Sequence, residues 1–351
     1  MKSKILKIIT LCLILMSIAL VSIGCQKSKE DEQTNKTEDV SKVDKKTNKK
    51  EDKKVKKKIV VGQNGGICQA PLVMAYEKGF FKEEGIEVEL LKGDYPTLRD
   101  GLATGKVDVS DGLVVTWLKP IQNGLDINFT LGIHTGCISV VVPKSSKVKG
   151  FEDLKGKTIG VSGGIGGGSM NFGYRSILRD GLNVKDYNWK DFPAQQLITA
   201  LEKGEIQAAI TGDQTAHAWI ESGKVNVIRS STHDEDYKDE YCCLLGIRGP
   251  IVRDEPEVAE ALTRAVLKAA KWVNENREET AKIMVDKQHV NGDYEYNLNL
   301  LKSYNYKPSI SGGKEAIRTS IDELKQLELF DKNIDIDKET EKIYKELKNV
   351  E

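Results

Sequence analysis

The chain has 351 residues, enough for two domains with separate hydrophobic cores, and it carries 53 basic and 53 acidic residues. The charge is unevenly distributed. Residues 1–58 hold 16 lysines and 8 acidic residues, which leaves 37 basic and 45 acidic residues, a net charge of −8, for 59–351. A folded part of this charge offers no basic surface to a phosphate backbone, so we expect no nucleic-acid partner.

Residues 1–25 have the features of a bacterial export signal. Lys2 and Lys4 precede an apolar run over 5–23, and Gly24-Cys25 resembles the end of a lipobox, with Ser22 where lipoproteins usually carry an aliphatic residue. We expect a cleaved signal peptide and a lipid on Cys25 that anchors the protein at the extracytoplasmic face of the cell membrane. A permanent membrane span is the alternative, because the run approaches spanning length.

Residues 26–58 are rich in lysine, acidic residues, threonine and asparagine, and their only sizeable apolar residues are Val40, Val43 and Val55. Such a segment cannot bury enough surface to offset the entropy lost on ordering. We therefore predict a disordered, charged tether between the anchor and the folded part.

From residue 59 onward, short apolar runs alternate with segments of helical spacing, which is typical of an α/β fold with a mostly parallel sheet. The first block has predicted strands at 59–61, 86–91, 107–110, 127–133 and 138–142, and helices at 97–104 and 113–122. A further helix after residue 69 has Leu72, Ala75, Tyr76 and Phe80 at helical spacing. The second block has strands at 158–161, 188–192, 206–210 and 225–228, and helices at 170–179, 194–202 and 213–221. After Pro256 the pattern is helical, over 258–274, 280–285, 294–303, 316–327 and 338–347.

Three segments, 59–85, 101–108 (GLATGKVD) and 151–160 (FEDLKGKTIG), resemble substrate-binding proteins of ABC importers. The class they resemble takes up nitrate, alkanesulfonates, taurine and thiamine pyrimidine precursors. The resemblance implies a type II periplasmic-binding-protein fold, with two α/β lobes joined by two hinge strands and a ligand cleft between them. It places lobe 1 at 59–143 and 247–351, lobe 2 at 144–246, and the hinges at 139–143 and 241–247.

The loop 65–69 lies between the first predicted strand and a helix, where open α/β sheets commonly bind ligands. Gly65 and Gly66 expose backbone amides, Cys68 follows, and Gln69 can both donate and accept hydrogen bonds. We expect these four residues to contact the ligand from lobe 1. A plain tight turn is the alternative.

A second loop, 163–169, contains five glycines before a helix. Unpaired amides and the helix dipole favour an anion such as a sulfonate or carboxylate, so we predict ligand contacts from Gly166, Gly167, Gly168 and Ser169. Ser169 is also a natural N-cap, which is its alternative role. Residues 160–164 match the G-x-S-x-G of hydrolases, but further glycines intervene where the helix after a nucleophile should start.

Two aspartates follow predicted strands, one in each lobe. Asp111 and Asp213 can pair with an amine on the ligand, and helix capping is the alternative for each. Trp117 can stack on a ligand, although a tryptophan on an amphipathic helix also fits a core.

Cys68, Cys137, Cys242 and Cys243 fall at loops or hinges that the family fold places near the cleft. An exported protein can form disulfides from such residues, but adjacent Cys242 and Cys243 pair poorly with each other. We expect structural cysteines, unpaired or disulfide-bonded, ahead of ligand contact by Cys68, Cys242 and nearby His134. A metal site ranks last, because the dense Cys/His spacings of zinc motifs are absent from the sequence. We therefore predict no metal and no cofactor.

The resemblance implies a non-enzymatic, monomeric binding protein that delivers a small ligand to an ABC permease and its ATPase. A taurine-like aliphatic sulfonate is the first ligand class, and a thiamine pyrimidine precursor is the second. The alternative of another class is an enzyme on the same fold. Relatives of the pyrimidine branch use active-site His and Cys residues, and Cys242-Cys243 resembles part of a cysteine-rich run there. No catalytic residue is assigned.

Overall fold

A computed structural model describes residues 58–350 of the protein. The predicted signal peptide, the predicted lipidation of Cys25 and nearly all of the predicted tether lie outside the described residues. Within 58–350, no helix is both long and apolar enough to cross a membrane.

Five strands form the first sheet, in the order β2-β1-β3-β10-β4. They are β1 (Ile59–Gln63), β2 (Val88–Lys92), β3 (Val109–Leu113), β4 (Ile127–Thr135) and, from later in the chain, β10 (Tyr241–Arg248). β1 runs parallel to β2 and β3, whereas β10 runs antiparallel to β3 and β4. Four strands of this sheet therefore run in the same direction and β10 runs against them, so the prediction of a mostly parallel sheet is confirmed, with the returning strand as its antiparallel member.

The second sheet repeats this arrangement, in the order β7-β6-β8-β5-β9. Its strands are β5 (Ile138–Pro143), β6 (Thr158–Val161), β7 (Asn188–Asp191), β8 (Ala208–Gly212) and β9 (Val225–Ser230). β6 runs parallel to β7 and β8, and β5 runs antiparallel to β8 and β9. We call each sheet with its helices a lobe.

Helices cover both sheets. In chain order they are α1 (Ala70–Glu77), α2 (Phe80–Glu83), α3 (Tyr95–Thr104), α4 (Val114–Gln122), α5 (Gly168–Arg179), α6 (Leu197–Glu202), α7 (Asp213–Glu221), α8 (Gly249–Asp254), α9 (Pro256–Glu275), α10 (Arg277–Asp286), α11 (Tyr294–Ser303), α12 (Ile310–Gln326) and α13 (Ile336–Ile343). Short 3-10 turns lie at Ile67–Gln69, Phe151–Leu154, Val184–Asp186 and Ala194–Gln196.

The helix expected after residue 69 is divided into α1 and α2. Gly79 has φ 78°, a left-handed conformation that ends one helix and starts the next. Leu72, Ala75 and Phe80 are buried, but Tyr76 is 43% exposed. Tyr76 therefore does not belong to the apolar face, although its spacing from the other residues suggests it.

The chain crosses between the sheets twice, and each lobe has its own core. It leaves the first sheet at Gly136-Cys137, between β4 and β5, and returns through 231–240 to β10. Fully buried residues such as Leu131 and Leu245 fill the first lobe, and Val140 and Ile210 fill the second. The predicted limits of the lobes and hinges stay predictions.

A buried group of charges joins the lobes on one side of the molecule. Arg175 and Arg179 of α5 both bond Glu323 of α12, and Arg179 Nε lies 2.6 Å from Glu323 Oε1. Both arginines also form ion pairs with Glu240 on the returning segment, each at a distance of 2.5 Å. The ring of Tyr237 lies 3.8 Å below the Arg179 guanidinium. This network fixes α5 of the second lobe against the first lobe.

Candidate ligand-binding cleft

A cleft of about 320 Å³ lies between the lobes, at loops that follow the carboxyl ends of strands. Loops after β1, β6 and β8 contribute, together with the end of β3 and the start of α4. The volume is at the small end of ligand pockets and suits a small molecule. Residues from both lobes line it, so closing the lobes would enclose a ligand.

The cleft collects most residues that the sequence analysis predicted to contact a ligand. These are Gly66, Cys68, Gln69, Asp111, Trp117, Gly168, Ser169 and Asp213. The lining does not include Gly65, His134, Gly166, Gly167 or Cys242; Cys242 instead borders a separate cavity of about 30 Å³. Whether any of them contacts a ligand stays a prediction.

Several lining residues are not among the predicted ligand contacts. They include Asn64, Tyr95, Thr116, Ser162, Gln214, Thr215 and Tyr304. Tyr304 follows α11, in a region that the sequence identifies only as helical, and it reaches the cleft through long-range packing. Ser162 and Gln214 adjoin predicted loops, so their position was a usable signal.

Side chains already occupy the amides of the first glycine loop. The bonds are Asn64 N to Gln69 Oε1 (2.6 Å), Gly65 N to Gln63 Oε1 (2.8 Å), Gly66 N to Asn64 Oδ1 (2.9 Å) and Ile67 N to Gln214 Oε1 (3.3 Å). The last bond crosses between the lobes. These amides are satisfied without a ligand, so the loop acts mainly as a rigid support for the side chains of Cys68 and Gln69.

The second glycine loop ends in an open helix N-terminus. α5 begins at Gly168, and its N-cap, Gly167, supplies no side-chain acceptor. The first amides of a helix have no intrahelical acceptor, and here Gly168 and Ser169 line the cleft. Ser169 lies inside the first turn, so its alternative role as the N-cap is wrong. An anion in the cleft would meet these amides and the positive end of the helix dipole.

Hydroxyl groups surround this helix start. Ser162 Oγ lies 3.3 Å from Ser169 Oγ and 3.1 Å from Thr211 Oγ1. Among the described residues, the side-chain partners of Ser162 are thus hydroxyls rather than a histidine, which does not fit a hydrolase nucleophile. The same hydroxyls can donate to an anion held at the helix start.

Gly168 also brings the second lobe close to the first. A Cβ atom added at Gly168 would lie 2.3 Å from Oγ1 of Thr116, on α4 of the first lobe. Only glycine permits this approach without displacing Thr116. The open amides of α5 are therefore held directly against the opposite wall of the cleft.

Asp111 lies within β3, so the helix-capping alternative is wrong for this residue. It is buried and accepts a hydrogen bond from Gln69 Nε2. Burial, with a smaller contribution from Cys68, raises the pKa of Asp111 to about 7. Its Oδ2 atom is buried and has no hydrogen-bond partner in the described part of the chain. A donor group on a ligand would satisfy that oxygen.

Asp213 begins α7, but its carboxylate bonds side chains from elsewhere in the lobe. Ser139 Oγ and Thr232 Oγ1 each donate a hydrogen bond of 2.6 Å to the Asp213 carboxylate. Burial raises its pKa, while these two bonds oppose the rise. Gly212 is the N-cap of α7, so capping does not explain Asp213 either.

One wall of the cleft is aromatic. Trp117 is 2% exposed and meets the Tyr95 ring edge-on, with 4.9 Å between centroids. Tyr95 Oη donates to the carbonyl oxygen of Thr116 over 2.9 Å. Trp117 is mainly a core residue whose ring borders the cleft, which combines the two roles considered for it.

Four cysteine and histidine side chains converge beneath the cleft. The thiol sulfurs of Cys68, Cys137 and Cys243 and a ring nitrogen of His134 all lie within 4.8 Å of one another. Cys137 Sγ is 3.4 Å from Cys243 Sγ and 3.9 Å from His134 Nε2. The cysteines at 68, 137, 242 and 243 are free thiols. The three thiols of this cluster also line the cleft floor.

His134 is completely buried behind these thiols. Its ring packs between Tyr304 and Tyr306, with centroid distances of 5.4 and 5.2 Å. Its Nδ1 atom lies 3.2 Å from the carbonyl oxygen of Thr135 and donates a hydrogen bond to it. Nε2 is then the atom directed at Cys137.

The thiols and the imidazole shift each other's protonation. Burial lowers the pKa of His134, but the charges of Cys243 and Cys242 raise it overall, well above its usual value. Burial likewise opposes ionisation of Cys242, yet hydrogen bonds from Cys137 and Cys243 and the charge of His134 hold its pKa well below the usual value. Burial raises the pKa of Cys137. The His134 ring and the neighbouring thiols therefore favour ionisation of Cys242.

The sequence pattern of the "NMT1/THI5 like" family matches residues 68–280, more than half of the chain. This chain belongs to that family. The matched range runs from Cys68 in the first loop to α10, and it includes the second glycine loop and the entire second sheet.

Relatives of this chain include both binding proteins and a synthase. The nitrate/nitrite binding protein NrtA of Nostoc is 24% identical over 248 residues, which is 63% of this chain and 56% of NrtA. The 4-amino-5-hydroxymethyl-2-methylpyrimidine phosphate synthase of Aspergillus parasiticus is 26% identical over 218 residues, 58% of this chain and 62% of the synthase. The chain thus spans little more than half the length of these relatives.

Among solved structures, the fold is similar to the periplasmic aliphatic sulphonate binding protein SsuA of Escherichia coli. The TM-score is 0.68 at 15% identity, covering 84% of this chain and 94% of SsuA. The chain therefore has the periplasmic-binding-protein fold that its sequence resemblance implies. At this identity, the likeness concerns the fold and not the ligand.

Proposed function

We propose that this protein is the solute-binding component of an ABC importer and captures a small anionic organic ligand. The observation that carries the proposal is the open N-terminus of α5, which directs unpaired amides into a cleft between two lobes. Binding between the lobes couples ligand capture to lobe closure, the motion expected of such proteins.

The favoured ligand class is a taurine-like aliphatic sulfonate. Its sulfonate would take the amides of Gly168 and Ser169 and the nearby hydroxyls. Its amine would satisfy the unpartnered Oδ2 of Asp111, which lines the same cleft. The first loop would hold Asp111 in place through Gln69.

The protein would not be an enzyme: it would bind its ligand as a monomer and deliver it unchanged to a permease and its ATPase. The predicted lipid on Cys25 would keep it at the outer face of the cell membrane, with 26–58 as the tether. The binding-protein relative and the SsuA-like fold support this role.

A thermal-shift screen of the protein tests the proposal. Taurine, alkanesulfonates, nitrate, carboxylates and pyrimidines are compared at matched concentrations, because a ligand that binds only the folded state raises Tm. We expect the largest rise with a sulfonate, and we expect the ligand to be recovered unchanged after prolonged incubation. A ligand that is consumed would contradict a transport role.

A thiamine pyrimidine precursor is the second candidate. The synthase relative and the aromatic pair Tyr95–Trp117 at the cleft wall favour it. The buried cluster of His134 and cysteines also favours the alternative that the protein is an enzyme with the same fold. A Tm rise with pyrimidines and none with sulfonates would favour this candidate, and ligand turnover would distinguish synthase from carrier.

A further inference from the structure

We propose that Cys68, His134, Cys137 and Cys243 form a binding site for one thiophilic metal ion of the zinc type at the floor of the cleft. The set is three sulfurs and one imidazole nitrogen, a donor combination found in tetrahedral zinc sites. The site is separate from the solute position at α5, and its four residues are spread over 176 positions of sequence.

The spacing of the donor atoms suits a tetrahedral ion. Zn–S bonds of about 2.3 Å and Zn–N bonds of about 2.0 Å place neighbouring ligand atoms roughly 3.5 to 3.8 Å apart. The distances from Cys137 Sγ to Cys243 Sγ and to His134 Nε2, 3.4 and 3.9 Å, lie at either side of that range. No pair among the four atoms is more than 4.8 Å apart, so shifts of about an ångström would complete the geometry.

His134 is oriented as a metal ligand requires. Its Nδ1–H is bonded to the Thr135 carbonyl, which leaves Nε2 directed at the thiols, where a metal ion would take the place of its proton. Metal-binding histidines usually have such a partner on the other nitrogen, because it fixes the tautomer and the ring orientation. Packing against Tyr304 and Tyr306 removes the remaining freedom of the ring.

Two backbone irregularities direct the thiols into the cluster. Cys137 has φ 148°, a conformation that is unfavourable for any residue other than glycine. The amide of Asp213 holds it there by donating to the Cys137 carbonyl over 2.7 Å. On β10, the pairing with β4 shifts register on both sides of Cys243. Such bulges re-aim side chains next to functional sites.

The position of the site suggests preorganisation. Cys68, His134 and Cys243 all belong to the first lobe, and Cys137 lies at the crossing from it. Binding of the ion therefore does not depend on closure of the lobes. Because Cys68, Cys137 and Cys243 line the cleft floor, the ion would also lie within reach of the solute space.

Cys242 provides a matched control within the same chain. Its sulfur contacts the Gly136 carbonyl and lies 3.9 Å from Nδ1 of His134, the nitrogen facing away from the proposed ion. Removing this thiol should leave the donor set intact, whereas removing Cys68 or Cys243 takes away one donor.

The test uses the reduced full-length protein and Co²⁺ as a spectroscopic probe for Zn²⁺. We expect one Co²⁺ per chain, with intense visible bands of a tetrahedral ion and near-ultraviolet thiolate charge-transfer bands, both removed by Zn²⁺. Cys68→Ser and Cys243→Ser should each weaken Zn²⁺ binding at least 10-fold and reduce the charge-transfer intensity by about a third. Cys242→Ser should change neither.

A measurement on the unmutated protein guards against misfolded variants. Zn²⁺ should protect Cys68, Cys137 and Cys243 from alkylation, as read by mass spectrometry of the peptides. An octahedral Co²⁺ spectrum, unchanged alkylation of these cysteines or a Cys137–Cys243 disulfide in the isolated protein would overturn the proposal. Solute binding measured with a chelator present keeps this outcome separate from the transport role.

Discussion

The two glycine loops look alike in sequence and differ in structure. In the first, side chains of Gln63, Asn64 and Gln69 bond the loop amides, and Gln214 bonds a further one from the second lobe. In the second, the amides of Gly164, Gly166 and Gly167 also have internal partners, but α5 starts without a side-chain cap and its first residues, Gly168 and Ser169, line the cleft. A glycine-rich turn therefore indicates a ligand site only where some of its amides, here those at the helix start, have no internal acceptor.

The difference assigns a scaffold role to the first loop and a binding role to the second. Variants that remove the contacts between α5 and the first lobe should therefore reduce ligand binding as well as stability. Variants that disturb the first loop should act mainly on the stability of the protein without ligand.

The largest effect is expected from Glu323→Ala. It removes one of the two carboxylates shared by Arg175 and Arg179, whose side chains are 6% and 16% exposed, and leaves both guanidinium groups with Glu240. Removing one partner of a buried ion pair costs about 3–5 kcal/mol when the remaining charge is uncompensated, so with Glu240 still in place we expect a loss of about 3 kcal/mol of unfolding free energy. Urea unfolding should show this loss. Glu341→Ala, a glutamate on the exposed surface of α13, should change stability by less than about 0.5 kcal/mol.

The same variant tests how α5 is positioned. Glu323 is on α12 and contacts the C-terminal half of α5, away from the open amides at the start of α5. Any loss of ligand affinity must therefore come through the orientation of α5. Unchanged ligand affinity in a folded Glu323→Ala protein would show that the network does not position the second loop.

Asp111→Asn should stabilise the protein in a pH-dependent way. The pKa of Asp111 is about 7 in the folded protein and 3.8 in the unfolded chain. The folded state therefore binds the extra proton between these values, and its stability falls as the pH rises from about 4 to 7. Asparagine does not titrate, so its advantage should be near zero at pH 4. It should reach a few kcal/mol by pH 8, because each tenfold difference in proton affinity between the two states corresponds to about 1.4 kcal/mol.

Thermal unfolding of both proteins across this pH range is the measurement. A difference that stays constant with pH would mean that the carboxyl of Asp111 is ionised to the same extent in both states. Ligand binding should weaken in the variant, because the amide cannot pair with an amine as a carboxylate does.

A smaller effect is expected from Gln69→Ala. The side chain is buried, accepts from Asn64 N and donates to Asp111, so its loss leaves both groups unsatisfied and should cost about 2 kcal/mol. Chemical unfolding without ligand measures it. Gln326→Ala, on the exposed end of α12, is the control. If Gln69→Ala abolished binding without lowering stability, the first loop would be a binding element and the comparison between the loops would fail.

Local patterns predicted much of this fold. Alternating apolar runs located the strands and most helices, and glycines marked both loops. Features that depend on long-range packing escaped prediction. β10 inserts between β3 and β4, and Tyr76 is exposed to solvent on α1 although its spacing suggested burial. Neither outcome depends on the residues nearby in sequence.

The sequence predicted which residues lie near the cleft, but not which of their side chains contact one another. The sequence placed the cysteines and His134 near the cleft, but their convergence on one point depends on the bulge at Cys243 and on the positive φ of Cys137. Tyr304 and Tyr306 reach the site from the helical C-terminal region, where no motif distinguishes them.

The most direct test of the central claim is calorimetric titration of Ser169→Asp and Ser169→Asn with taurine. A carboxylate about 4 Å from a bound anion costs on the order of 4 kcal/mol at an effective dielectric constant of about 20. We predict that Asp lowers affinity at least 100-fold, while neutral Asn, of nearly the same size, stays within about 10-fold of the unmutated protein. Equal affinity of the Asp and Asn variants would contradict anion binding at the start of α5.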